Sequence, residues 1–370
     1  MKRQQSSSPN PSSDFLPPIE STKMPLALLR GINATSSVDA WRCLLQHAWD
    51  VCSPPVELDP SSDDVANVIT QRDYALCPVD SFLANACWDL WDFYESSAPL
   101  NSKKLIQWWN ERPGGCESGR AVLVLDALSL REVPWLLRGA GIRGYCVHQA
   151  CVHGAELPAD TTPFARALGF SGRSSLRDND GASQGHLHGA STESSNLPFA
   201  DCAAQIGSCN DILYWHHWPD DRIHQLSEGQ QGVVAFSRET AEQLSSDAFW
   251  RLVWSLTQGR RLVITADHGY AACGNFSEIT ESSQIKFLVS RYRAQRWANA
   301  LSDLQEPSMA SLQWIPPVDT RIKTAHTDAY FVLGRRKWRI RGGFPTLAHG
   351  GLSLLEVAVP FIELSRPSGY

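Results

Sequence analysis

Two short strand-like segments, each followed directly by an aspartate, constrain the fold of this chain more than any other feature. Residues 121–125 are continuously apolar and precede Asp126, and the predicted strand over 261–266 precedes Asp267. A short continuous apolar run is typical of a parallel strand that is buried on both faces. In an open parallel sheet, ligands bind just beyond the carboxyl ends of the strands. Both aspartates are therefore expected at a ligand-binding edge.

Strand-like and helix-like segments alternate around these two runs. A helix is predicted over 130–139, where Pro134 is acceptable in the first turn, and a strand over 144–152. Further along, the pattern predicts a helix over 163–168, a strand over 212–215, a helix over 249–258, a hairpin from 329–333 and 337–340, and a helix running into a strand over 352–363. This order predicts an α/β fold with a doubly wound, mostly parallel sheet.

Composition divides the chain into three predicted regions. Residues 1–19 open with a polar stretch rich in Ser and Pro and are expected to be a disordered tail. Residues 20–118 are rich in Trp and show helix-like patterning over 38–52, 80–96 and 105–110, so a smaller helical N-terminal region is expected. A break at 113–115 (Pro-Gly-Gly) marks its end, and residues 119–370 form the predicted α/β domain. Within it, residues 171–197 are rich in Ser, Gly and Asn and are interpreted as a mobile loop or lid.

Cysteine usage, hydropathy and charge narrow the function classes. The ten cysteines form no CxxC pair, and the opening segment lacks the apolar core of a secretory signal, which predicts reduced thiols and a cytoplasmic location. No run of 18 or more apolar residues is present, so no membrane partner is expected. The net charge of −6 argues against a generally basic surface that coats nucleic acid, although a local basic groove is compatible with it.

Acidic and histidine residues recur along the chain in an order that predicts a metal site. Asp220 and His224 are four residues apart, so on a helix they share one face and can bind one ion together, with Asp221 as a competing ligand. Asp267 and His268 are adjacent at a strand end, where neighbouring side chains can turn toward two different ions. Mixed carboxylate and imidazole ligation suits zinc, or manganese if the site is rich in oxygen. The complete candidate set is Asp126, Asp220, His224, Asp267, His268 and His349.

Each of these residues also has an ordinary structural interpretation when it is taken alone. Asp126 can cap a helix after its strand, and His224 can be a surface or core histidine. His268 and His349 precede glycines and can serve turns. Only the ordered combination favours a metal site.

The same order resembles the alkaline-phosphatase superfamily. Its members carry an Asp after the first core strand, a hydroxyl or thiol nucleophile, Asp-x3-His, an Asp-His pair after a strand, and a final His. Pro219-Asp220 before Ile223-His224 is similar to the PD-x3-H form of nucleotide phosphodiesterases. Residues 265–269, with the sequence TADHG, are similar to the superfamily's TADHG or SDHG segment.

A narrower resemblance is to the PglZ domain, over about residues 120–364. Residues 126–128 match its DAL opening, and residues 349–360 match its HGGxSxxExxVP signature. Within that signature, Ser353 and Glu356 are expected to form a capping box. Ser129 stands where many PglZ domains have an Arg directly after DAL, and Arg131 comes two residues later.

The resemblance implies a metal-dependent hydrolase of phosphoric esters, a phosphodiesterase or phosphatase, with two divalent cations about 4 Å apart. Asp126, Asp267 and His268 would hold one cation, and Asp220, His224 and His349 the other. Thr161 or Thr162 would be the nucleophile. Thr161 is favoured because residues 158–161 keep the family's P-x-x-T spacing, whereas Thr162 precedes Pro163 and can cap the following helix.

His216, His217 and Asp221 follow a predicted strand near the same edge. They are expected beside the ligands, where a carboxylate or carbonyl orients each ligating histidine. The alternative for the two histidines is that they merely pack in their strand.

The resemblance also implies partners. The substrate would be a phosphorylated small molecule, a nucleotide or a nucleic-acid phosphodiester, and PglZ proteins are associated with phage defence. The alternative is a non-catalytic, metal-stabilised subunit of a defence complex that binds other defence-system proteins through its Trp-rich region, since Trp is enriched at interface hot spots. A third alternative is an α/β binding protein whose acidic residues coincide by chance.

Overall fold

The computed structural model of the chain describes residues 36–111, 119–179, 185–226, 232–272, 277–300, 315–324, 326–340 and 347–366. The predicted tail over 1–19 lies outside these ranges. Within them, no helix combines the length and the apolar character that crossing a bilayer requires.

A six-stranded sheet forms the centre of the fold. Its strands are β1 (Gly119–Leu125), β2 (Cys146–Gly154), β3 (Ser191–Ser195), β4 (Asp211–His216), β5 (Arg260–Thr265) and β13 (Ala358–Ser365). They lie in the order β2-β13-β5-β1-β4-β3. β5, β1, β4 and β3 pair in parallel, while β13 is antiparallel to both β5 and β2. The predicted α/β fold with a mostly parallel sheet is confirmed.

Twelve α-helices occur among the described residues. They are α1 (Ser37–Cys52), α2 (Asp64–Asn85), α3 (Tyr94–Ser97), α4 (Asn101–Glu111), α5 (Val133–Ile142), α6 (Thr161–Ala167), α7 (Phe199–Gln205), α8 (Asp220–Leu226), α9 (Gly232–Ser245), α10 (Asp247–Leu256), α11 (Ser282–Tyr292) and α12 (Leu354–Val357). Shorter strands are β6 (Ala271–Ala272), β7 (Ser277–Glu278), β8 (Trp297–Asn299), β9 (Asp319–Lys323), β10 (Asp328–Val332), β11 (Arg336–Lys337) and β12 (Leu347–Ala348). As the sequence predicts, Pro134 lies in the first turn of α5.

Strand β1 is buried on both faces, which explains its uninterrupted apolar sequence. Ala121, Leu123 and Leu125 pack into one hydrophobic cluster, whereas Val122 and Val124 pack into a second cluster on the other face. Alternate side chains of a strand point to opposite faces, so both faces of the sheet are covered.

The tryptophans of the N-terminal region fill the same core. Trp41 and Trp91 are fully buried, and their ring centroids are 4.6 Å apart. The Tyr94 ring packs edge-on against Trp41 at 4.8 Å. All three belong to the hydrophobic cluster that contains alternate residues of β1. These side chains therefore serve packing, and their large buried area stabilises the α/β fold.

A buried ion network joins the N-terminal region to the end of the chain. Asp73 and Asp80 lie two turns apart on α2 and are both buried. Arg131 and Arg335 place guanidinium nitrogens 2.8 Å and 2.9 Å from Asp73 Oδ1. Asp80 pairs with Arg335 and accepts a 2.7 Å hydrogen bond from the Leu354 N–H at the start of α12. Charges buried this deeply persist because each has a partner of opposite sign.

Helix α2 corrects one prediction. The helix predicted over 80–96 instead spans Asp64–Asn85 and is followed by a 3-10 turn, Trp88–Phe93. Its buried face includes Asp73 and Asp80, so acidic residues interrupt the apolar periodicity that would have revealed it.

The interpretation of residues 171–197 as a loop is wrong for two described segments. A 3-10 helix spans Arg173–Asn179, and β3 occupies Ser191–Ser195. β3 has the sequence STESS and lies at the edge of the sheet. A strand at the edge of a sheet can be held by backbone pairing to its one neighbour without many apolar side chains. The polar sequence of β3 therefore does not indicate a strand.

The predicted hairpin is also wrong. β10 pairs with β9 and β8, whereas β11 pairs in parallel with β7. Arg335 in the connecting turn is drawn into the ion network with Asp73 and Asp80. Both segments of the predicted hairpin contain a strand, β10 and β11. However, the two strands do not pair with each other, although they are neighbours in the sequence.

Candidate metal centre

Three neighbouring strands deliver acidic side chains to one edge of the sheet. Asp126 directly follows β1, and Asp220 and Asp267 follow β4 and β5, the two neighbours of β1. The Asp126 N–H donates to the His216 carbonyl and the Asp220 N–H donates to the Asp126 carbonyl, both at 3.0 Å. The backbone itself therefore holds Asp126 and Asp220 side by side.

Asp126, Asp267 and His268 form the deepest part of this cluster, and all three are fully buried. His268 Nε2 lies 3.5 Å from Asp126 Oδ1 and 3.5 Å from Asp267 Oδ2. His268 Nδ1 lies 2.9 Å from the Gly269 carbonyl, which can only accept, so Nδ1 donates this bond. Nε2 is then the ring nitrogen that faces the two carboxylates, which is the orientation of a metal-ligating histidine.

Asp220, His224 and His349 converge beside it. Asp220 begins α8, and His224 lies one turn later. His224 Nε2 is 3.3 Å from Asp220 Oδ2, and His349 Nε2 is 3.5 Å from Asp220 Oδ1. The two Nε2 atoms are 3.5 Å apart. The His349 ring also stacks on the His268 ring at 4.4 Å, which joins the two halves of the cluster.

Three combinations of donor atoms lie close enough to share an ion. Within each set, the ligand atoms all lie within 4.8 Å of one another: Asp220, His224 and His349; Asp126, Asp220 and His268; Asp160, His268 and His349. The first set is the second group expected from the sequence. The second set contains Asp220 where the sequence predicts Asp267. The Asp220 carboxylate is therefore close enough to contribute to both groups of ligands.

The donor set fits divalent cations. Among the described residues, Asp220 Oδ1, Asp267 Oδ2 and His268 Nε2 are buried and have no hydrogen-bond partner. Orphaned polar atoms of this kind are rare in proteins because each costs the desolvation free energy of its group. Carboxylate oxygens and imidazole nitrogens are ligands for zinc and manganese.

The pKa values record how strongly these groups interact. Burial lowers the pKa of His268, but the Asp267 and Asp126 carboxylates outweigh it and hold that pKa well above its usual value. Burial raises the pKa of Asp267 well above its usual value, and the Asp126 charge adds to the effect. Crowding and burial therefore oppose the ionisation of Asp267, and a cation bound among these carboxylates would offset both effects.

The structure separates the two candidate threonines. Thr161 is the first residue of α6, and its N–H donates to Oδ1 of the capping residue Asp160 at 2.7 Å. The Thr161 hydroxyl lies 3.3 Å and 3.4 Å from the two carboxylate oxygens of Asp126. Thr162 is exposed and lines an adjacent cleft. Of the two hydroxyls, that of Thr161 is the one within reach of the metal cluster.

His216 and His217 use their ring nitrogens elsewhere. His216 Nε2 donates to the Leu197 carbonyl at 2.8 Å, and its Nδ1 accepts from the Trp218 N–H at 3.0 Å. His217 Nε2 lies 2.9 Å from the Ser194 hydroxyl and its Nδ1 3.8 Å from Asp221 Oδ2. None of these contacts includes one of the six candidate ligands, which favours the packing alternative for the histidines.

Residues other than His216 and His217 contact the candidate metal ligands. The Trp215 indole N–H donates to Asp126 Oδ2 at 3.0 Å, and Arg173 Nη1 also donates to that oxygen. Asp160 Oδ2 accepts from the Trp297 indole at 3.1 Å. Sequence reasoning missed all four residues. Arg173 lies in the segment interpreted as a loop, and Trp215 was assigned to its strand without a role; for Asp160, the only signal was its place before Thr161 in the P-x-x-T spacing.

Two glycines let the His349 segment fit against its neighbours. Gly350 has a φ of +94°, and a Cβ there would lie 2.3 Å from the Trp297 ring. A Cβ on Gly351 would lie 2.7 Å from Arg296 Nε. Only glycine satisfies both the backbone conformation and the close approach.

Glu356 fixes the same segment, although not through a capping box. Its buried carboxylate binds Arg296 through two oxygens, at 2.6 Å and 3.0 Å. It also accepts from the Gly351 N–H at 2.8 Å and from the Ser353 hydroxyl at 2.7 Å. The Ser353 hydroxyl accepts no hydrogen bond from a backbone N–H of α12, so the predicted capping box is wrong.

Arg131 has no part in this cluster. It is buried, its guanidinium donates to Asp73 and to the Tyr270 carbonyl, and it lies over the Tyr270 ring at 4.5 Å. Its role is structural.

Comparisons with known proteins support the fold family. Residues 199–364 match the model of the BREX system PglZ alkaline phosphatase-like domain, which confirms the PglZ resemblance. No curated protein matches the chain.

Similar solved structures include two forms of murine ectonucleotide pyrophosphatase/phosphodiesterase 5 and its human counterpart. The inactive murine variant in complex with AMP is 13% identical, covers 68% of this chain and 88% of its own, and has a TM-score of 0.45. The second murine structure is 13% identical, covers 67% of this chain and 88% of its own, and has a TM-score of 0.44. The human protein is 12% identical over 67% and 88%, with a TM-score of 0.40.

Proposed function

Because residues 199–364 match the PglZ alkaline phosphatase-like domain, we propose that this chain is a metal-dependent phosphoric-ester hydrolase with Thr161 as its nucleophile. One observation carries the proposal: the Thr161 hydroxyl contacts the Asp126 carboxylate, which belongs to a buried cluster of metal-ligand type. A threonine hydroxyl is a weak nucleophile near neutral pH and needs such a neighbourhood to act.

Two divalent cations, zinc or manganese, are proposed to bind the cluster. Asp126, Asp267 and His268 would hold one, and Asp220, His224 and His349 the other, with Asp220 close enough to contribute to both. When bound, they would stabilise the charge on the transferred phosphoryl group and lower the pKa of the Thr161 hydroxyl and of the attacking water.

The chain's own residues then carry two displacements. In the first, the Thr161 oxygen bonds to phosphorus and its proton passes to a water molecule, while the bond from phosphorus to the ester alcohol breaks and the alcohol oxygen takes a proton back from that water. In the second, the oxygen of a water molecule bonds to phosphorus and gives up one proton, while the Thr161–phosphorus bond breaks and the Thr161 oxygen takes up a proton, so that phosphate is released. Asp126 and the capping residue Asp160 keep the Thr161 side chain and its N–H in place throughout.

A cleft beside Thr161 supports an organic ester substrate. Its volume is about 1080 Å³, and its lining includes Asp160 and Thr162, the two sequence neighbours of Thr161. A site that served inorganic phosphate alone would need far less space, since pockets for drug-sized ligands are about 300–1,000 Å³. We therefore propose a phosphodiester or a monoester of a nucleotide-sized alcohol as substrate.

The biological setting is proposed from the family description. A BREX-type PglZ match favours a role in phage defence, with other defence-system proteins as partners. The alternative of a non-catalytic docking subunit is less favoured, because the Trp-rich region on which it relied packs Trp41 and Trp91 into the core. A binding protein with a chance cluster of acids is disfavoured because six candidate ligands from separate parts of the chain meet at one edge.

Hydrolysis of bis-p-nitrophenyl phosphate and p-nitrophenyl phosphate tests the proposal. Zinc- and manganese-loaded protein is compared with Thr161→Ala and Asp267→Ala. We expect turnover by the wild-type protein and its loss in both variants, and the ratio of the two substrates separates diesterase from monoesterase. Turnover that survives in both variants would overturn the mechanism.

A further inference from the structure

Arg173 and the proposed nucleophile meet at one carboxylate oxygen. Arg173 begins the 3-10 helix Arg173–Asn179. Its Nη1 donates to Asp126 Oδ2, the oxygen that lies 3.4 Å from the Thr161 hydroxyl. The Trp215 indole holds the same oxygen at 3.0 Å. The guanidinium is thus anchored next to the atom that would bond to phosphorus.

The guanidinium retains capacity for a ligand. Its side chain is 22% exposed, whereas that of Asp126 is fully buried, so solvent reaches the guanidinium but not the carboxylate. Among the described residues, Asp126 alone engages its N–H groups, and a guanidinium has five. A guanidinium stays protonated throughout the physiological pH range, so the group is cationic.

We propose that Arg173 binds the non-bridging oxygens of the phosphoryl group while that group is transferred to and from Thr161. This inference rests on the proposed function and assigns a catalytic residue to it. Because Arg173 and the Thr161 hydroxyl both contact Asp126 Oδ2, a phosphoryl group bonded to the Thr161 oxygen would have its other oxygens within reach of the guanidinium. The planar fork of arginine matches two phosphate oxygens at once, and such charge-assisted pairs are the stronger class of hydrogen bond.

A purely structural role makes a different prediction. If Arg173 only neutralised Asp126, its loss would alter folding stability and metal binding but not the affinity for phosphate at equal metal content. Lysine in its place would keep the positive charge without the fork geometry. Arg177, exposed and one turn later in the same 3-10 helix, provides a matched arginine control.

The test measures binding of inorganic phosphate by titration calorimetry. Zinc-loaded wild-type protein is compared with Arg173→Ala, Arg173→Lys and Arg177→Ala, and the zinc content and circular dichroism of each are measured beforehand. Loss of a charge-assisted pair is expected to weaken phosphate binding about tenfold to a hundredfold in Arg173→Ala, and less in Arg173→Lys. Arg177→Ala should bind phosphate like the wild-type protein.

Two outcomes overturn the inference. One is unchanged phosphate affinity in zinc-replete Arg173→Ala. The other is an equal loss in Arg177→Ala, which would point to the general charge of the helix. If Arg173→Ala does not fold, Arg173→Lys decides, since wild-type affinity there contradicts the need for the fork. Ester hydrolysis is scored separately: phosphate binding that depends on Arg173 without turnover would refute the proposed function, and turnover without that dependence would refute this inference.

Discussion

The hydroxyl oxygen of Thr161 lies 3.3 Å from Oδ1 of Asp126, whereas the next residue, Thr162, faces an open cleft. Replacing Thr161 by alanine should therefore lower kcat for an aryl phosphodiester by about 10³-fold or more, because the attacking atom is lost. Thr161→Ser keeps a hydroxyl and should retain part of the rate. Stopped assays with zinc-loaded protein check this. If Thr162→Ala, rather than Thr161→Ala, abolishes turnover, the nucleophile has been misassigned.

Metal content distinguishes Asp220 from its neighbour. Asp220→Asn should reduce the bound metal measured by mass spectrometry, because its carboxylate faces both His224 and His349. Asp221→Asn is the matched control and should keep the wild-type content, since Asp221 lies beside His217. Equal loss of metal in the two variants would contradict the proposed ligand set.

Removing the metal should also lower thermal stability. A ligand that binds only the folded state stabilises it by about 2.7 kcal/mol when its concentration is a hundred times its Kd. Dialysis against a chelator is expected to lower Tm, and added zinc or manganese should restore it. The same treatment of Asp220→Asn should have a smaller effect. A wild-type Tm that is indifferent to both steps would show that no structural ion binds the cluster.

Glu356 offers a test of the segment that carries His349. Glu356→Ala leaves the buried Arg296 without its carboxylate, and breaking a buried pair in this way costs about 3–5 kcal/mol. Asp63→Ala, which removes the exposed partner of Arg238, should cost less than about 1 kcal/mol. Urea unfolding of both variants measures the difference, and a Glu356 effect no larger than that of Asp63 would contradict the interpretation.

Glu132 should make stability depend on pH. Burial raises the pKa of Glu132 from 4.5 to about 7 although it accepts a hydrogen bond from the Tyr270 hydroxyl. A raised pKa in the folded state favours the protonated form, so this contribution is full below about pH 4.5 and is lost as pH rises through about 7. Between pH 4.5 and pH 8, the stability of Glu132→Gln relative to the wild-type protein should therefore rise by about 3 kcal/mol. The amide nitrogen of Gln cannot accept the hydrogen bond that one carboxylate oxygen accepts, and this loss is the same at both pH values.

Urea unfolding at the two pH values measures this difference directly. Comparing the variant with the wild-type protein at each pH cancels the contributions of the other titrating groups. A stability gap that does not change between pH 4.5 and pH 8 would show that Glu132 is ionised in the folded protein.

The sequence predicted the parts of the fold whose buried side chains are apolar. β1 and β5 were identifiable because both faces of each are covered, which leaves an apolar stretch at 121–125 in β1 and at 262–264 in β5. Helix α2 and strand β3 were not, since α2 buries Asp73 and Asp80 and β3 is a polar edge strand. The antiparallel course of β13 depends on partners far away in the chain, which local patterns do not encode.

The site shows the same division. Its six candidate ligands could be selected because carboxylates and imidazoles at strand ends carry a chemical signal in the sequence, and the structure brings them together. Arg173, Trp215 and Trp297 have no such signal, since their role depends on which side chains they meet. His216 follows the same edge but directs its nitrogens to backbone groups, a choice that spacing does not reveal.

The order of the strands has a practical consequence for anyone who trims this protein. The matched family segment begins at residue 199, yet β1 lies between β4 and β5 in the sheet. A fragment that starts at residue 199 would lack β1 from the middle of the sheet, so the facing edges of β4 and β5 would be unpaired and prone to aggregation. The fragment would also lack Asp126 and Thr161. The smallest fragment expected to fold must therefore include β1. It must also include α2, because Asp80 on this helix accepts the hydrogen bond of the Leu354 N–H.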